Sequence, residues 1–260
     1  MNSTDSRPRV VAFVPARMAS SRFPGKPLVL IAGLPMVEHV RRRSALSRRV
    51  DEVVVATCDQ EILDTVAAFG GRGVMTRDSH LDCVDRIGEA ATIVPADVAV
   101  IVQGDEPLIR PELIDAVVEG LLSYPDVGCA NVLSTISSPV DLANPAVVKA
   151  VVDTRDRLLY LSRAPIPFER NAGIARYLRQ TGLSAFRREA LERYVGLPPA
   201  PLELVEGVGF LRMLQNGMPV QGVIRDEETF GVDRHSDLPI IESILKEDAK
   251  QRSLFDQITG

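Results

Sequence analysis

The stretch Val10–Pro27 reads Val-Val-Ala-Phe-Val-Pro-Ala-Arg-Met-Ala-Ser-Ser-Arg-Phe-Pro-Gly-Lys-Pro, and its two halves decide the fold class. Val10 to Val14 is an unbroken apolar run, the pattern of a strand buried on both faces of a parallel sheet. The second half resists helix and strand alike, because Pro15, Pro24 and Pro27 supply no amide donor and Gly25 loosens the backbone. A loop at the end of a first buried strand lies where open α/β sheets bind their ligands.

The loop also concentrates positive charge. Arg17, Arg22 and Lys26 stand among Ala16, Ala19, Ser20 and Ser21, small residues that let backbone N–H groups come close to a bound group. Bare amides together with cations match a polyphosphate. Neither G-x-x-x-x-G-K-[ST] nor G-x-G-x-x-G occurs, so the expectation rests on position and charge alone.

Outward from this loop the strand–helix alternation repeats. A helix with Pro35 in its first turn is followed by strand Val53–Thr57, Asp59 as an N-cap, a helix ending at Gly70-Gly71, strand Gly73–Thr76 and a helix from near Asp82. Strand Val98–Val102 then precedes a helix opened by Pro111, whose Leu113, Ile114, Val117, Val118 and Leu121 form one apolar stripe. Repeated βαβ units predict an open, mostly parallel sheet flanked by helices, with right-handed crossovers.

From Asp126 onward strands dominate, at Val127–Leu133, Val147–Val152 and Leu158–Leu161, and predict a smaller mixed-sheet half. The Pro- and Arg-rich arm Ser162–Arg176 is expected to form dimer surface. One helix is expected over about Leu202 to Asn216, a strand at Val220–Ile224, and a final helix from near Ser236. The division is thus a frayed tail over residues 1–8, a parallel-sheet half over about 9–125, a mixed-sheet half with the dimerisation arm over about 126–246, and a polar tail over 247–260, all within one domain.

Composition bounds the rest. At 260 residues and 45% apolar, the chain buries a substantial core. The net charge of −5, from 30 basic and 35 acidic residues, gives no general attraction to nucleic acid or to an anionic membrane. Cys58, Cys83 and Cys129 form no C-x-x-C pair, and the N-terminus has no apolar core of a leader, so a soluble, cytoplasmic protein with reduced thiols is expected.

Two acids suit a metal. Asp105, in Gln103-Gly104-Asp105-Glu106-Pro107, ends a buried strand on the side of the cationic loop and is a natural ligand for Mg²⁺ on a triphosphate. Asp233, in Phe230-Gly231-Val232-Asp233, is the second candidate, and Glu106 is expected as an exposed acid beside them. His80 is placed to line the crevice, whereas His39 and His235 show no spacing for zinc or for a nucleophile–base pair.

The runs Val14–Leu28 and Gln103–Pro107, together with Met75-Thr76-Arg77, Asp85-Arg86, Asn144-Pro145, Ser162–Pro167, Pro201-Leu202-Glu203, Leu211-Arg212 and Gly231-Val232-Asp233, resemble the sugar-acid cytidylyltransferases, the 3-deoxy-manno-octulosonate cytidylyltransferase family in particular. The resemblance covers roughly Val10 to Leu245. It implies a nucleotidyltransferase α/β fold, a homodimer, CTP as donor, an anionic sugar-acid acceptor destined for a surface glycan such as lipopolysaccharide, and Mg²⁺ on Asp105 and Asp233. It also implies that Arg17, Arg22 and Lys26 meet the phosphates, with Lys26, Asp105 and Arg17 catalytic. Arg77 and Gln103 are then expected near the nucleotide or acceptor, Arg163 near the acceptor, and Gln180 and Glu203 among the binding residues.

Departures from the family pattern fall near the base and the acceptor. Asp82-Cys83-Val84 replaces Ser-Gly-Thr, leaving Asp82 to accept from the cytosine amine. Gln180-Thr181-Gly182-Leu183-Ser184 replaces His-Leu-Gly-Ile-Tyr, and Val208-Gly209-Phe210 replaces polar groups that would hold a polyhydroxy acid. A smaller acid such as a phosphonate, or a nucleotide-binding homologue without turnover, therefore stands as an alternative.

Overall fold

The computed structural model describes residues 7–19, 23–80, 82–171, 173–227 and 230–260. Strand β1 (Val10–Ala16) is buried along its whole length, and its alternate residues enter opposite cores. Val11 and Phe13 pack on one face with Ile87 and Leu191, whereas Ala12 and Val14 pack on the other with Val37, Ile62 and Leu113. Each fully buried aliphatic or aromatic side chain here contributes about 1.5–3 kcal/mol.

A short hairpin of β2 (Leu30–Ile31) and β3 (Leu34–Pro35) leads into α1 (Met36–Ser44). Then come β4 (Glu52–Thr57), α2 (Gln60–Ala68), β5 (Arg72–Met75), α3 (Cys83–Ile93), β6 (Val98–Ile101) and α4 (Pro111–Leu122). The second half supplies β7 (Cys129–Thr135), α5 (Pro139–Ala143), β8 (Lys149–Val152), β9 (Leu158–Ser162), β10 (Leu178–Arg187) and α6 (Arg188–Val195). It closes with α7 (Pro201–Glu206), α8 (Phe210–Gln215), β11 (Val220–Arg225), α9 (Leu238–Glu247) and α10 (Ala249–Thr259).

Among the described residues one nine-stranded sheet runs in the order β11-β7-β10-β6-β1-β4-β5, with β8 paired to β10 and β9 to β8. Strands β6, β1, β4 and β5 are parallel, as the βαβ pattern requires, and β7 and β11 are parallel to each other. Between these blocks lies β10, antiparallel to both β6 and β7. Helices α1, α2 and α4 cover one face, and α3, α6 and α8 the other.

Three expectations fail here for identifiable reasons. The helix expected over Leu202–Asn216 is two helices, because Gly207 adopts φ +62° and turns the chain between α7 and α8. The polar tail expected over 247–260 is largely α10, capped by Asp248 accepting from the Lys250 and Gln251 amides, with Gln251, Leu254 and Ile258 buried. The longest strand, β10, has no counterpart among the expected elements. Of the frayed tail expected over residues 1–8, residues 1–6 lie outside the described residues, and Arg7 pairs with Asp51.

Candidate active site

The carboxyl ends of β1 and β6 meet because position 104 is glycine. A Cβ there would lie 2.4 Å from the Pro15 carbonyl oxygen, so only glycine lets the turn carrying Asp105 approach the loop after β1. That loop folds back on itself: the Met18 amide donates to Asp59 Oδ2 at 2.8 Å, and the Gly25 amide, at φ +74°, donates to Met18 O at 3.0 Å. The Asp59 carboxylate, expected to cap α2, anchors the loop instead.

Lys26 opens a short 3-10 turn and directs its ammonium inward, donating to Asp105 Oδ2 and to Val232 O, each at 2.8 Å. The Val232 amide donates in turn to Asp105 O at 2.8 Å. The two expected metal acids are thereby joined, since Val232 is the residue before Asp233. Among the described residues no group of three or more His, Cys, Asp or Glu is placed for a metal. Asp105 and Asp233 are brought onto adjoining segments, and so few carboxylates suit Mg²⁺, which keeps several waters and takes its remaining oxygens from substrate.

A cavity of about 300 Å³ opens beside this junction, lined by Ala16, Arg17, Lys26, His80, Asp82, Gln103 and Asp105 among others. Asp82 caps α3, its Oδ1 accepting from the Val84 amide at 2.7 Å. Gln103 Nε2 donates to Cys83 Sγ at 3.3 Å, and burial, then the charge of Asp82, pushes that thiol far up, so it is inert at neutral pH. The expected ligands Ser20, Ser21 and Arg22 lie outside the described residues.

A second cavity, of about 530 Å³, adjoins the same turn and includes Glu106, Arg179, Gln180, Gly182, Gly209 and Asp233. Glu106 is not the exposed acid expected. It is buried, one oxygen has no hydrogen-bond partner, and burial followed by the charge of Asp105 pushes its carboxyl up to about 7.

Other expected site residues are placed elsewhere. The Arg77 side chain is largely exposed and pairs with Glu89, which also hydrogen-bonds His80; it lines a neighbouring cleft and not the first cavity. Beside Arg17 and Lys26, the first cavity is also lined by Arg86, whose Nη1 donates to Thr76 Oγ1 at 2.6 Å. Glu203 accepts from Arg212 Nε and Nη2 at 2.8 and 2.6 Å and from the Ala200 amide, a buried bidentate pair outside both cavities. Arg163 gives its guanidinium to the carbonyls of Pro145, Glu206 and Gly207. Arg86 and Arg179 are the residues that sequence reasoning does not place at the site, and Glu106 is one that it misplaces at the surface. Arg86 carries a signal in the Asp85-Arg86 motif, whereas Arg179 carries none.

Comparison with known proteins identifies the family and the fold. The cytidylyltransferase family model matches residues 11–226. A 3-deoxy-manno-octulosonate cytidylyltransferase of Geobacter sulfurreducens is 42% identical over 248 residues, covering 91% of this chain and 99% of that protein. One from Escherichia coli is 38% identical over 245 residues, covering 94% and 99%. A solved structure of CMP:2-keto-3-deoxy-manno-octonic acid synthetase complexed with CTP superposes with a TM-score of 0.88 at 39% identity, over 92% of this chain and 99% of that one.

A mostly parallel sheet that ends in a lysine-bearing loop and an aspartate turn at adjoining cavities is the architecture of a nucleotidyltransferase enzyme. Within that class, the chain belongs to the 3-deoxy-manno-octulosonate cytidylyltransferase family.

Proposed function

We propose that the enzyme transfers CMP from CTP to 3-deoxy-manno-octulosonate or a near relative of it, with release of pyrophosphate. The observation that carries this reading is the Lys26 ammonium set between Asp105 and the residue before Asp233, at the junction of two cavities. The nucleotide occupies the smaller cavity and the acid the larger. This division assigns the nucleotide to residues 9–125 and the acceptor mainly to residues 126–246, a split supported by the lining of the larger cavity.

In the transfer the acceptor hydroxyl gives its proton to solvent, and its oxygen attacks the α-phosphorus as the bond to the β-phosphate bridging oxygen breaks and pyrophosphate departs. Lys26 and Arg17 neutralise the phosphates, and the backbone turn at Gly104-Asp105 holds the donor in line with the acceptor. Asp82 accepts from the base amine and Gln103 orients the α3 terminus. Asp105 and Asp233 hold Mg²⁺. When bound, that ion supplies charge for the phosphates and lowers the pKa of the nucleophile.

The exposed apolar side chains of Phe168 and Ile174, 88% and 77% accessible, support the arm as homodimer surface, tested by the sedimentation of Phe168→Glu. No helix among the described residues is long and apolar enough to cross a membrane. We assign the work to the cytoplasm, which suits a CTP-consuming enzyme with three free thiols.

The deciding experiment measures pyrophosphate release with CTP, UTP, ATP and GTP against octulosonate and a small phosphonate. Release with CTP and octulosonate, lost by orders of magnitude in Asp105→Asn, is expected. Near-normal turnover of that variant would refute the metal role.

A further inference from the structure

We infer that Arg179 is the cation that receives the carboxylate of the acceptor and so selects which acids the enzyme accepts. The inference rests on the acid-transfer reading of the site.

Lys149, Arg163 and Arg179 are the cations in or directly behind the wall of the larger cavity, and two of them are already consumed. Lys149 is fully buried and spends its ammonium on the carbonyls of Asn144, Val147 and Arg163, at 2.9, 2.8 and 2.6 Å. An ammonium has only three donors. Arg163 is likewise committed, Nε, Nη1 and Nη2 donating to the carbonyls of Glu206, Pro145 and Gly207 at 2.6, 2.9 and 3.2 Å. Both hold the cavity wall from behind.

Arg179 differs. Its Nε donates to Ser134 Oγ at 2.8 Å, which fixes the plane of the guanidinium, and its terminal nitrogens make no ion pair with any described residue. The side chain half-emerges into the cavity beside Gln180 and Gly182. A planar fork held at one nitrogen is pre-organised for bidentate binding of a carboxylate.

The strand is shaped to present it. The pairing of β10 with β7 shifts register between Gln180 and Ser184, a bulge at the cavity wall, and bulges re-aim side chains next to active sites. Asn131 Nδ2 satisfies the carbonyls that the bulge frees, donating to Thr181 O and Leu183 O at 3.1 and 2.9 Å.

Charge gives the same answer. Glu106 places an acid in this wall, and an anionic acceptor entering beside it needs a cation to offset the repulsion. Arg179 is the cation lining that cavity among the described residues.

Steady-state kinetics with CTP and octulosonate test the assignment. Arg179→Leu raises KM for octulosonate about 10- to 100-fold, the loss of a charge-assisted hydrogen-bonded pair, while KM for CTP stays within about threefold. Arg179→Lys keeps the charge without the fork and falls between Arg179→Leu and the unaltered enzyme. The unaltered enzyme prefers octulosonate to its carboxamide analogue, and Arg179→Leu loses that preference, which a merely structural role would not do. An unchanged KM for octulosonate in both variants, or a retained preference for the acid in Arg179→Leu, overturns the assignment. Failure of the unaltered enzyme to release pyrophosphate with octulosonate would instead overturn the transfer reading on which it rests.

Discussion

Lys26 Nζ lies 2.8 Å from Asp105 Oδ2 and 2.8 Å from the carbonyl oxygen of Val232. One ammonium thus binds three segments far apart in the chain: the loop after β1, the turn after β6 and the stretch before α9. The Lys26 side chain is only 13% exposed, so its charge acts in a medium less screening than bulk water.

Lys26→Met keeps the length of the side chain and removes its charge. Asp105 and Val232 lose a shared donor, and on the proposed mechanism the phosphates lose a fixed positive partner. Turnover is expected to fall about 100-fold or more, the size of effect seen when a pre-organised charge-stabilising donor is removed. Circular dichroism should show an unchanged fold, and a variant turning over normally would detach Lys26 from the chemistry.

Gly104→Ala tests the close approach that creates the site. The added methyl would stand 2.4 Å from the Pro15 carbonyl oxygen, and a backbone atom cannot rotate aside as a side-chain tip can. The turn must move, displacing Asp105 from Lys26. We expect a loss of about 1–3 kcal/mol in stability by urea denaturation, together with a fall in turnover larger than that loss would cause.

How much of this is legible in the sequence depends on periodicity. The parallel strands read as short apolar runs because both their faces are buried, and Asp105 and Lys26 stand out because each comes after such a run. Strand β10 is not legible. Arg179, Gln180, Thr181, Gly182 and Ser184 interrupt any apolar pattern, yet Thr181 Oγ1 donates to Val132 O and Asn131 Nδ2 donates to the Thr181 and Leu183 carbonyls at the bulge, so the sheet accommodates the interruption. Arg179 is hidden along with its strand. Glu106 reads as exposed because sequence shows an acid next to an acid, and its burial beside Gly182 depends on that same unseen strand. Glu203 shows the converse, a residue in a family motif whose carboxylate is taken up by Arg212.

Acid sensitivity is expected from His39. The imidazole is fully buried on α1, with Nε2 2.8 Å from Ile31 O and the ring stacked on Phe255 of α10 at 5.5 Å. Burial chiefly, with Arg43 and Arg42 adding to it and the Ile31 contact opposing it, lowers its pKa from 6.5 to about 4. Between those values the unfolded chain binds a proton that the folded chain refuses. The stability is therefore whole above pH 6.5 and declines as the pH falls toward 4, by on the order of 3 kcal/mol. Urea denaturation at pH 7 and at pH 4.5 should show the decline, and His39→Leu should flatten it even though that variant is less stable at pH 7. An equal slope in both proteins would place the acid sensitivity elsewhere.

The joint between α1 and α10 rests on a buried cation. Arg43 is fully buried, its Nη1 donates to Gln251 Oε1 at 2.7 Å, and Gln251 Nε2 donates to Leu108 O at 3.0 Å. Burial lowers the Arg43 pKa to about 10, a sign of how poorly this site tolerates an unpartnered charge. Gln251→Leu removes the acceptor and leaves the guanidinium buried, for an expected loss of about 2–4 kcal/mol. Arg43→Met with Gln251→Leu replaces both partners by apolar groups, and the double variant should recover much of that loss. Neither residue lines the 300 Å³ or the 530 Å³ cavity, so CTP turnover below the melting range should change little in either variant. Urea denaturation across the four members of the cycle measures the coupling. Strictly additive losses would mean that Arg43 and Gln251 do not depend on one another.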